Sequence, residues 1–342
     1  MQQPAYRTPA VDDRAIWDIW LSANYFPAMA AADEVGLFKL LCADRSTTER
    51  LAAQLALDAR ALGILLGLLG GLGLVERREG LWQATVVTRT YLDPDGPFFW
   101  GSMLSAFKER NPLCGRVIAA LQQGGDSSGA PRPSDAWERG ELEPEMARHI
   151  AGFMHAHSLT ASIGAARGGN FQGVTRLLDV GGGSGVFSVA IARHWPQLRA
   201  TVMDLAAMCA AAQPYIDQGG CDGRVDTLAV DMFREPWPTG YDGLFFSNIY
   251  HDWDDTTCAQ LSRNAFDVLP AGGRIYLHEM LMNDNGDGPT TTASFSVLML
   301  LGTRGRQYTL AELRGFLEGA GFENITSIPT CSYYSLVSAR KP

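Results

Sequence analysis

Residues 177–187 read LLDVGGGSGVF, an apolar run, a glycine-rich break and the start of a second apolar run. Without Cβ atoms, the chain at Gly181-Gly182-Gly183-Ser184-Gly185 can turn tightly and bring backbone N–H groups close to a ligand. The flanks predict a strand ending at Val180 and a helix opening near Val186. The alternation continues outward: TRLLDV, RATVMDL, RVDTLAV, DGLFFSNIY, GGRIYLHEML and CSYYSLVSA read as strands separated by helical segments. That order predicts an α/β fold built on a doubly wound, mostly parallel sheet, with ligands at the carboxyl ends of the strands.

The residues around the loop narrow the ligand. Asp204 ends the next strand, where a carboxylate can accept hydrogen bonds from ribose hydroxyls. The dinucleotide fingerprint G-x-G-x-x-G would need Gly or Ala at 186, and Val186 stands there. The spacing is instead D-x-G-x-G-x-G, from Asp179 through Gly181, Gly183 and Gly185. A carboxylate beside the loop repels a pyrophosphate and suits an amino group or a sulfonium, which favours S-adenosyl-L-methionine over NAD. A tight turn holding no ligand is the alternative reading of the same glycines.

Bulk properties exclude several classes. The chain has 342 residues, 46% hydrophobic and 19% charged, with a net charge of −9. Excess negative charge argues against nucleic acid and anionic membranes, both of which need a basic footprint. No secretory leader or membrane span is legible, and six cysteines without a C-x-x-C pair fit reduced thiols in a cytoplasmic protein. Residues 14–42 have helical apolar spacing, and Ser46 with Glu49 has capping-box spacing. Two short helices and two strands around the "REG" turn then give a winged-helix pattern. The helix expected from Asp58 to Leu74 carries one basic residue, Arg60, and a wall of leucines, so it suits a dimer interface better than DNA. Residues 122–140 read as a surface loop, and a helix is expected from about Pro144 to Ala166.

The stretches DVGGGSG, DMF (231–233), SNIYHDWDD (247–255) and GGRIYLHEML (272–281) resemble the class I methyltransferases of the plant-type O-methyltransferase family, which includes caffeate and acetylserotonin O-methyltransferases. The resemblance covers nearly the whole chain. It implies a helical, winged-helix-like dimerisation domain over 1–105, connecting helices lining the substrate pocket over 106–170, and a Rossmann-like domain binding S-adenosyl-L-methionine over 171–342. It implies a homodimer acting on a small molecule. Asp204 would hold the ribose, Asp231 and Met232 would contact the adenine, Ser247 would lie near the methionine end, and Leu205 would also bind the cofactor. Phe233 fits either ligand contact or core packing.

In the family the histidine of HDW is the general base, which places His251 in that role; a structural histidine is the alternative. Glu279 matches the acidic residue that orients it and stabilises the imidazolium. Gln307, in GRQYT, stands where the family usually has a second carboxylate, and His157 where it commonly has methionine. Asp252, Asp254 and Asp255 are read as charging a helix N-terminus, and no metal is expected. Trp100, Phe107, Met154, Asn248 and Met299 are candidates for the acceptor pocket, though the aromatic and methionine side chains could equally be core or dimer packing. Arg304 and Arg306 fit either a carboxylate clamp or solvated arginines.

A phenol near pKa 10 facing a histidine near 6.5 makes proton transfer uphill by roughly 5 kcal/mol. A thioether needs no base at all. Family members in marine bacteria and algae S-methylate 4-methylthio-2-hydroxybutyrate on the way to dimethylsulfoniopropionate, so S-methylation stands beside O-methylation. A catalytically silent regulator on this fold is disfavoured by His251, and an NAD-dependent oxidoreductase by Val186 and Asp179.

Overall fold

The structure, a computed structural model, describes residues 6–125, 133–221 and 223–342. Its packing divides the chain into two compact units. One comprises residues 15–134 and 282–309, the other 1–14, 135–281 and 310–342. This differs from the expected three-part division: the helix Thr290–Gly302 returns to the N-terminal helices, and the 144–168 helix goes with the sheet.

The first unit is mostly helical. Its centre is the helix Ala59–Gly71, whose N-cap Asp58 accepts from the Ala61 N–H at 2.8 Å. Leu62, Leu65, Leu66, Leu68 and Leu69 of this helix are all buried within the unit. The leucine wall is therefore core, and the expectation that it forms a subunit interface does not follow from it. Gly71 lies so close to the helix Thr290–Gly302 that a Cβ there would sit 2.9 Å from Thr290 Cα. Strands β1 (Val75–Arg78) and β2 (Leu81–Ala84) pair antiparallel around the REG turn. The helix preceding Ala59–Gly71, Thr48–Leu55, is capped by Thr47, whose side chain accepts from the Arg50 N–H at 3.3 Å, one residue later than the expected Ser46.

The second unit carries a seven-stranded sheet of β3 (Arg176–Val180), β4 (Arg199–Asp204), β5 (Val225–Ala229), β6 (Gly243–Ser247), β7 (Arg274–Met280), β8 (Glu323–Cys331) and β9 (Tyr334–Arg340), in the order β5-β4-β3-β6-β7-β9-β8. The first five strands are parallel, and β9 runs antiparallel between β7 and β8. β3, β6 and β7 are almost wholly buried, as strands covered on both faces must be, with Asp179, His278 and Glu279 among the polar exceptions to their apolar side chains. Strand order reverses at β3, which pairs with β4 on one side and β6 on the other, so a crevice opens at the carboxyl ends of β3 and β6.

Sequence reading missed β8, whose residues alternate irregularly between exposed and half-buried around Pro329 and two register shifts. The loop expected over 122–140 contains instead the end of the helix Pro112–Gln123 and a short helix, Pro133–Arg139. Its residues 126–132 lie outside the described residues. Among the described residues, no single helix is long and apolar enough to cross a membrane, and no group of three or more His, Cys, Asp or Glu is arranged to hold a metal.

Candidate active site

The crevice is shaped by the glycine loop. Gly181, Gly183 and Gly185 have φ of +66°, +56° and +73°, a region that L side chains enter at a cost. A Cβ on Gly181 would also meet Ile249 Cδ1 at 2.5 Å. Gly183 and Gly181 line an open cavity with about 610 Å³ of empty space. Gly185 instead caps the helix Val186–His194 and packs toward Ile216.

Carboxylates ring the rest of this cavity. Asp204 Oδ2 accepts from the Gly183 N–H at 3.0 Å and Oδ1 from the Leu205 N–H at 2.7 Å, so one side chain ties β4 to the loop. Burial pushes its carboxyl up to about 6, against these two hydrogen bonds. Asp231 Oδ1 accepts from the Phe233 N–H at 2.9 Å, and Oδ2 lies 3.2 Å from the Arg234 guanidinium. Leu205, Met232 and Phe233 also line the cavity, as does Asn248, which was expected in the acceptor pocket. Phe233 packs edge-on against Trp253 at 4.6 Å, so it serves as wall and packing residue at once.

Asp179 sits differently. It is buried beneath the loop, accepts from Ser188 Oγ at 2.6 Å, and borders a smaller pocket that also includes Ser247 and Asn248. Burial raises its carboxyl to about 7.

His251 follows from the end of β6. Asn248 takes a left-handed φ of +55° and its N–H donates to the His278 carbonyl at 3.2 Å, turning the chain into the short 3-10 helix Tyr250–Asp252. The orphan N–H groups of Ile249 and Tyr250 both donate to Glu279 Oε1 at 3.0 Å. The other oxygen, Oε2, lies 3.0 Å from His251 Nδ1. One carboxylate on β7 thus holds both the turn and the ring, leaving Nε2 3.8 Å from Asp252 Oδ1. Burial opposes the charged ring, but Glu279 and Asp252 outweigh it and raise the imidazole above its ordinary value. Asp252, expected at a helix N-terminus, is instead buried beside His251, and burial raises its carboxyl to about 7; Asp254 is the cap of the next helix, accepting from the Thr257 N–H at 2.8 Å.

The remaining candidates fall into two groups. Met154 borders both the large cavity and the smaller pocket under the glycine loop. His157, on the same helix, packs edge-on against Phe153 at 4.8 Å, and burial with the nearby His251 lowers it to about 4. Trp100, Phe107, Met299, Arg304 and Gln307 belong to the other unit. Trp100 and Phe107 are exposed, Phe107 touching Phe26 edge-on at 6.2 Å; Met299 is buried. The Arg304 carbonyl accepts from Arg60 at 3.0 Å, the Gln307 N–H donates to Ser296 Oγ at 3.0 Å, and the Arg306 guanidinium lies 4.3 Å over the Tyr308 ring. Sequence reading missed Trp137, Ile150 and Met208 as cavity walls. Trp137 sits in a stretch whose Ser, Asp and Gly had suggested only a loop, and an isolated Trp there was the available signal.

Known proteins with this architecture share more than the sheet. A sequence profile described as an O-methyltransferase domain matches residues 125–323. The 3-hydroxy-5-methyl-1-naphthoate 3-O-methyltransferase of Streptomyces sahachiroi is 34% identical, over 88% of this chain and 86% of its own. The acetylserotonin O-methyltransferase of Mus musculus is 30% identical, over 85% of this chain and 79% of its own. Among solved structures, an O-methyltransferase family 2 protein from Planctomyces limnophilus in complex with apigenin superposes with a TM-score of 0.86 at 27% identity, covering 100% of both chains.

Proposed function

Since the chain belongs to the O-methyltransferase family, we propose that it transfers a methyl group from S-adenosyl-L-methionine to a hydroxyl of a small aromatic acceptor, with His251 taking the hydroxyl proton. The residues present fit this donor. The left-handed glycines bare the main chain where a Cβ would intrude, Asp204 offers carboxylate oxygens for ribose hydroxyls, and Asp231 and Met232 line the same cavity and would meet the adenine. Asn248 Oδ1, buried without a hydrogen-bond partner, suits the ammonium of the amino-acid end. When bound, the donor supplies an electrophilic methyl carbon on a sulfonium.

What this chain contributes is orientation and a proton acceptor. Glu279, fixed by two backbone N–H groups, sets Oε2 3.0 Å from His251 Nδ1, a charge that favours the proton on Nδ1 and leaves the Nε2 lone pair for the acceptor hydroxyl. Because His251 is raised above 6.5, removing a proton from a phenol near pKa 10 is uphill by less than roughly 5 kcal/mol. A sulfide acceptor would have no use for this buried base and its carboxylate, so the arrangement favours a hydroxyl over S-methylation. The aromatic hydroxyl in the name of the Streptomyces relative and the flavone held by the Planctomyces protein support a flat, phenolic acceptor.

We also read the protein as a cytoplasmic homodimer with a winged-helix-like N-terminal part. Ile16 and Ile19 are about 70% exposed on the helix Arg14–Leu21, an apolar face that a second copy would cover, and none of the six cysteines is in a disulfide.

The observation that carries the assignment is the contact of His251 with Glu279 beside the glycine-lined cavity. Its test is transfer from methyl-labelled S-adenosyl-L-methionine to a panel of phenols, thioethers and hydroxy acids, with wild type and His251→Ala. Phenol methylation that falls at least a thousandfold in the variant supports the reading. Thioether methylation indifferent to the substitution contradicts it.

A further inference from the structure

Within the sheet unit, a chain of hydrogen bonds runs from the smaller pocket to the far edge of the sheet. His278 on β7 is fully buried, stacked on Tyr334 with ring centroids 4.8 Å apart and planes 2° from parallel. Its Nδ1 lies 3.1 Å from Ser247 Oγ and its Nε2 lies 2.9 Å from Thr330 Oγ1. Thr330 has one hydroxyl proton, and it is donated to the Tyr334 carbonyl at 3.2 Å. Thr330 Oγ1 must therefore accept, His278 donates from Nε2, and Nδ1 is left as an acceptor. The Ser247 hydroxyl faces it at 3.1 Å and donates to it, so its proton is committed inward.

Ser247 borders the pocket under the glycine loop with its remaining lone pairs, next to the unpartnered, buried Oδ1 of Asn248. The Asn248 side chain is also hydrogen-bonded with the Tyr334 hydroxyl, and Ser184 and Asp179 border the same pocket; the Ser247 lone pairs and Asn248 Oδ1 are acceptors that suit a donating group. Burial lowers His278 to about 3, so the ring stays neutral and keeps this polarity across the physiological range.

We infer that His278 is a positioning residue that fixes Ser247 as an acceptor, so that Ser247 and Asn248 Oδ1 together recognise the α-ammonium group of the donor's amino-acid end. The inference rests on the proposed donor and deepens it. It carries no role in the methyl transfer itself.

The test is calorimetry of the full-length protein with two probes, S-adenosylhomocysteine and its analogue lacking the α-amino group. Phenylalanine at 278 keeps the stacking on Tyr334 and removes both hydrogen bonds. His278→Phe is expected to weaken S-adenosylhomocysteine about tenfold, the scale of one hydrogen bond to a charged group, and to leave the analogue within about twofold. His278→Asn, whose amide oxygen can take the place of Nδ1, is expected to restore most of the loss. In a Ser247→Ala background His278→Phe should add nothing. Should His278→Phe not fold, Thr330→Val removes only the acceptor that locks the tautomer and is expected to weaken S-adenosylhomocysteine about threefold with the analogue unchanged. Equal losses for both probes, or losses that add to that of Ser247→Ala, would overturn the inference while leaving the donor assignment standing. Wild type that binds neither probe would overturn the donor assignment, and the inference with it.

Discussion

Replacing Glu279 by Gln separates orientation from charge at the base. The Gln carbonyl can keep both backbone hydrogen bonds that Oε1 now accepts at 3.0 Å from Ile249 and Tyr250, so the 3-10 helix stays in place. Its NH₂ group then faces His251 Nδ1 at the position of Oε2, now 3.0 Å away, and donates to it. The ring is forced to carry its proton on Nε2, the nitrogen meant to accept one. Reversing the tautomer costs a hydrogen bond, about 1–3 kcal/mol. The lost attraction between imidazolium and carboxylate at 3.0 Å is worth about 5 kcal/mol at an effective dielectric of 20. Allowing for overlap between the two effects, a barrier rise of at least about 4 kcal/mol is expected, a fall in kcat/KM of roughly a thousandfold.

The pH profile gives the sharper readout. A base works unprotonated, so kcat/KM should rise with pH through the titration of His251 and then level. In wild type Glu279 and Asp252 overcome burial and place that limb above 6.5. Without the carboxylate burial dominates, and the limb should move to the acid side. The assay is kcat/KM from pH 5 to 9 with a phenolic acceptor, alongside S-adenosylhomocysteine affinity, which should hold within about twofold because Glu279 is not part of the cavity wall. A rate loss below tenfold with an unmoved limb would refute the pairing of Glu279 and His251 as the source of basicity.

Three other substitutions probe separate parts of the account. Asp179→Asn should stabilise the ligand-free protein at pH 8. The Asp179 carboxyl is raised to about 7 when folded, so between its unfolded value near 4 and that point the native state binds more protons and stability falls as pH rises. Asn keeps an acceptor for Ser188 and removes that slope, a gain of up to about 4 kcal/mol measurable by urea unfolding at pH 4, 6 and 8, and parallel pH profiles for the two proteins would count against it. Asp204→Asn leaves one oxygen for two backbone donors and a ribose; S-adenosylhomocysteine and adenosine should both weaken by about ten- to a hundredfold in calorimetry, and a loss confined to the amino-acid end would place the ribose elsewhere. Gly181→Ala imposes a side chain at φ +66° with Ile249 Cδ1 at 2.5 Å; a loss of about 1–3 kcal/mol in stability and weaker donor binding are expected, whereas an unchanged protein would show the loop to be more tolerant than its geometry.

Much of the sheet unit was legible because its signals are local. The glycine loop, the apolar run 243–247 and the acidic residues closing their strands each announce themselves within a few residues. The irregular burial of β8 offered no period to read, and the helix around Trp137 was hidden by loop-forming neighbours. The leucines of Ala59–Gly71 were read correctly as apolar, but composition cannot say whether such a wall meets its own chain or another; here it meets its own. Asp179 and Asp252 show the same limit for chemistry, since burial, which decides their protonation, depends on residues distant in sequence. The hydrogen-bond chain through His278 joins positions 247, 278, 330 and 334, a juxtaposition made only by the pairing of β6 with β7, β7 with β9 and β9 with β8.

The most direct measurement is a crystal structure of the protein soaked with S-adenosylhomocysteine. It is expected to show the ribose on Asp204, the adenine beside Asp231 and Met232, and the amino-acid end at Ser247 and Asn248. A molecule bound in the reverse direction, or outside the cavity beside Gly181 and Gly183, would contradict the account.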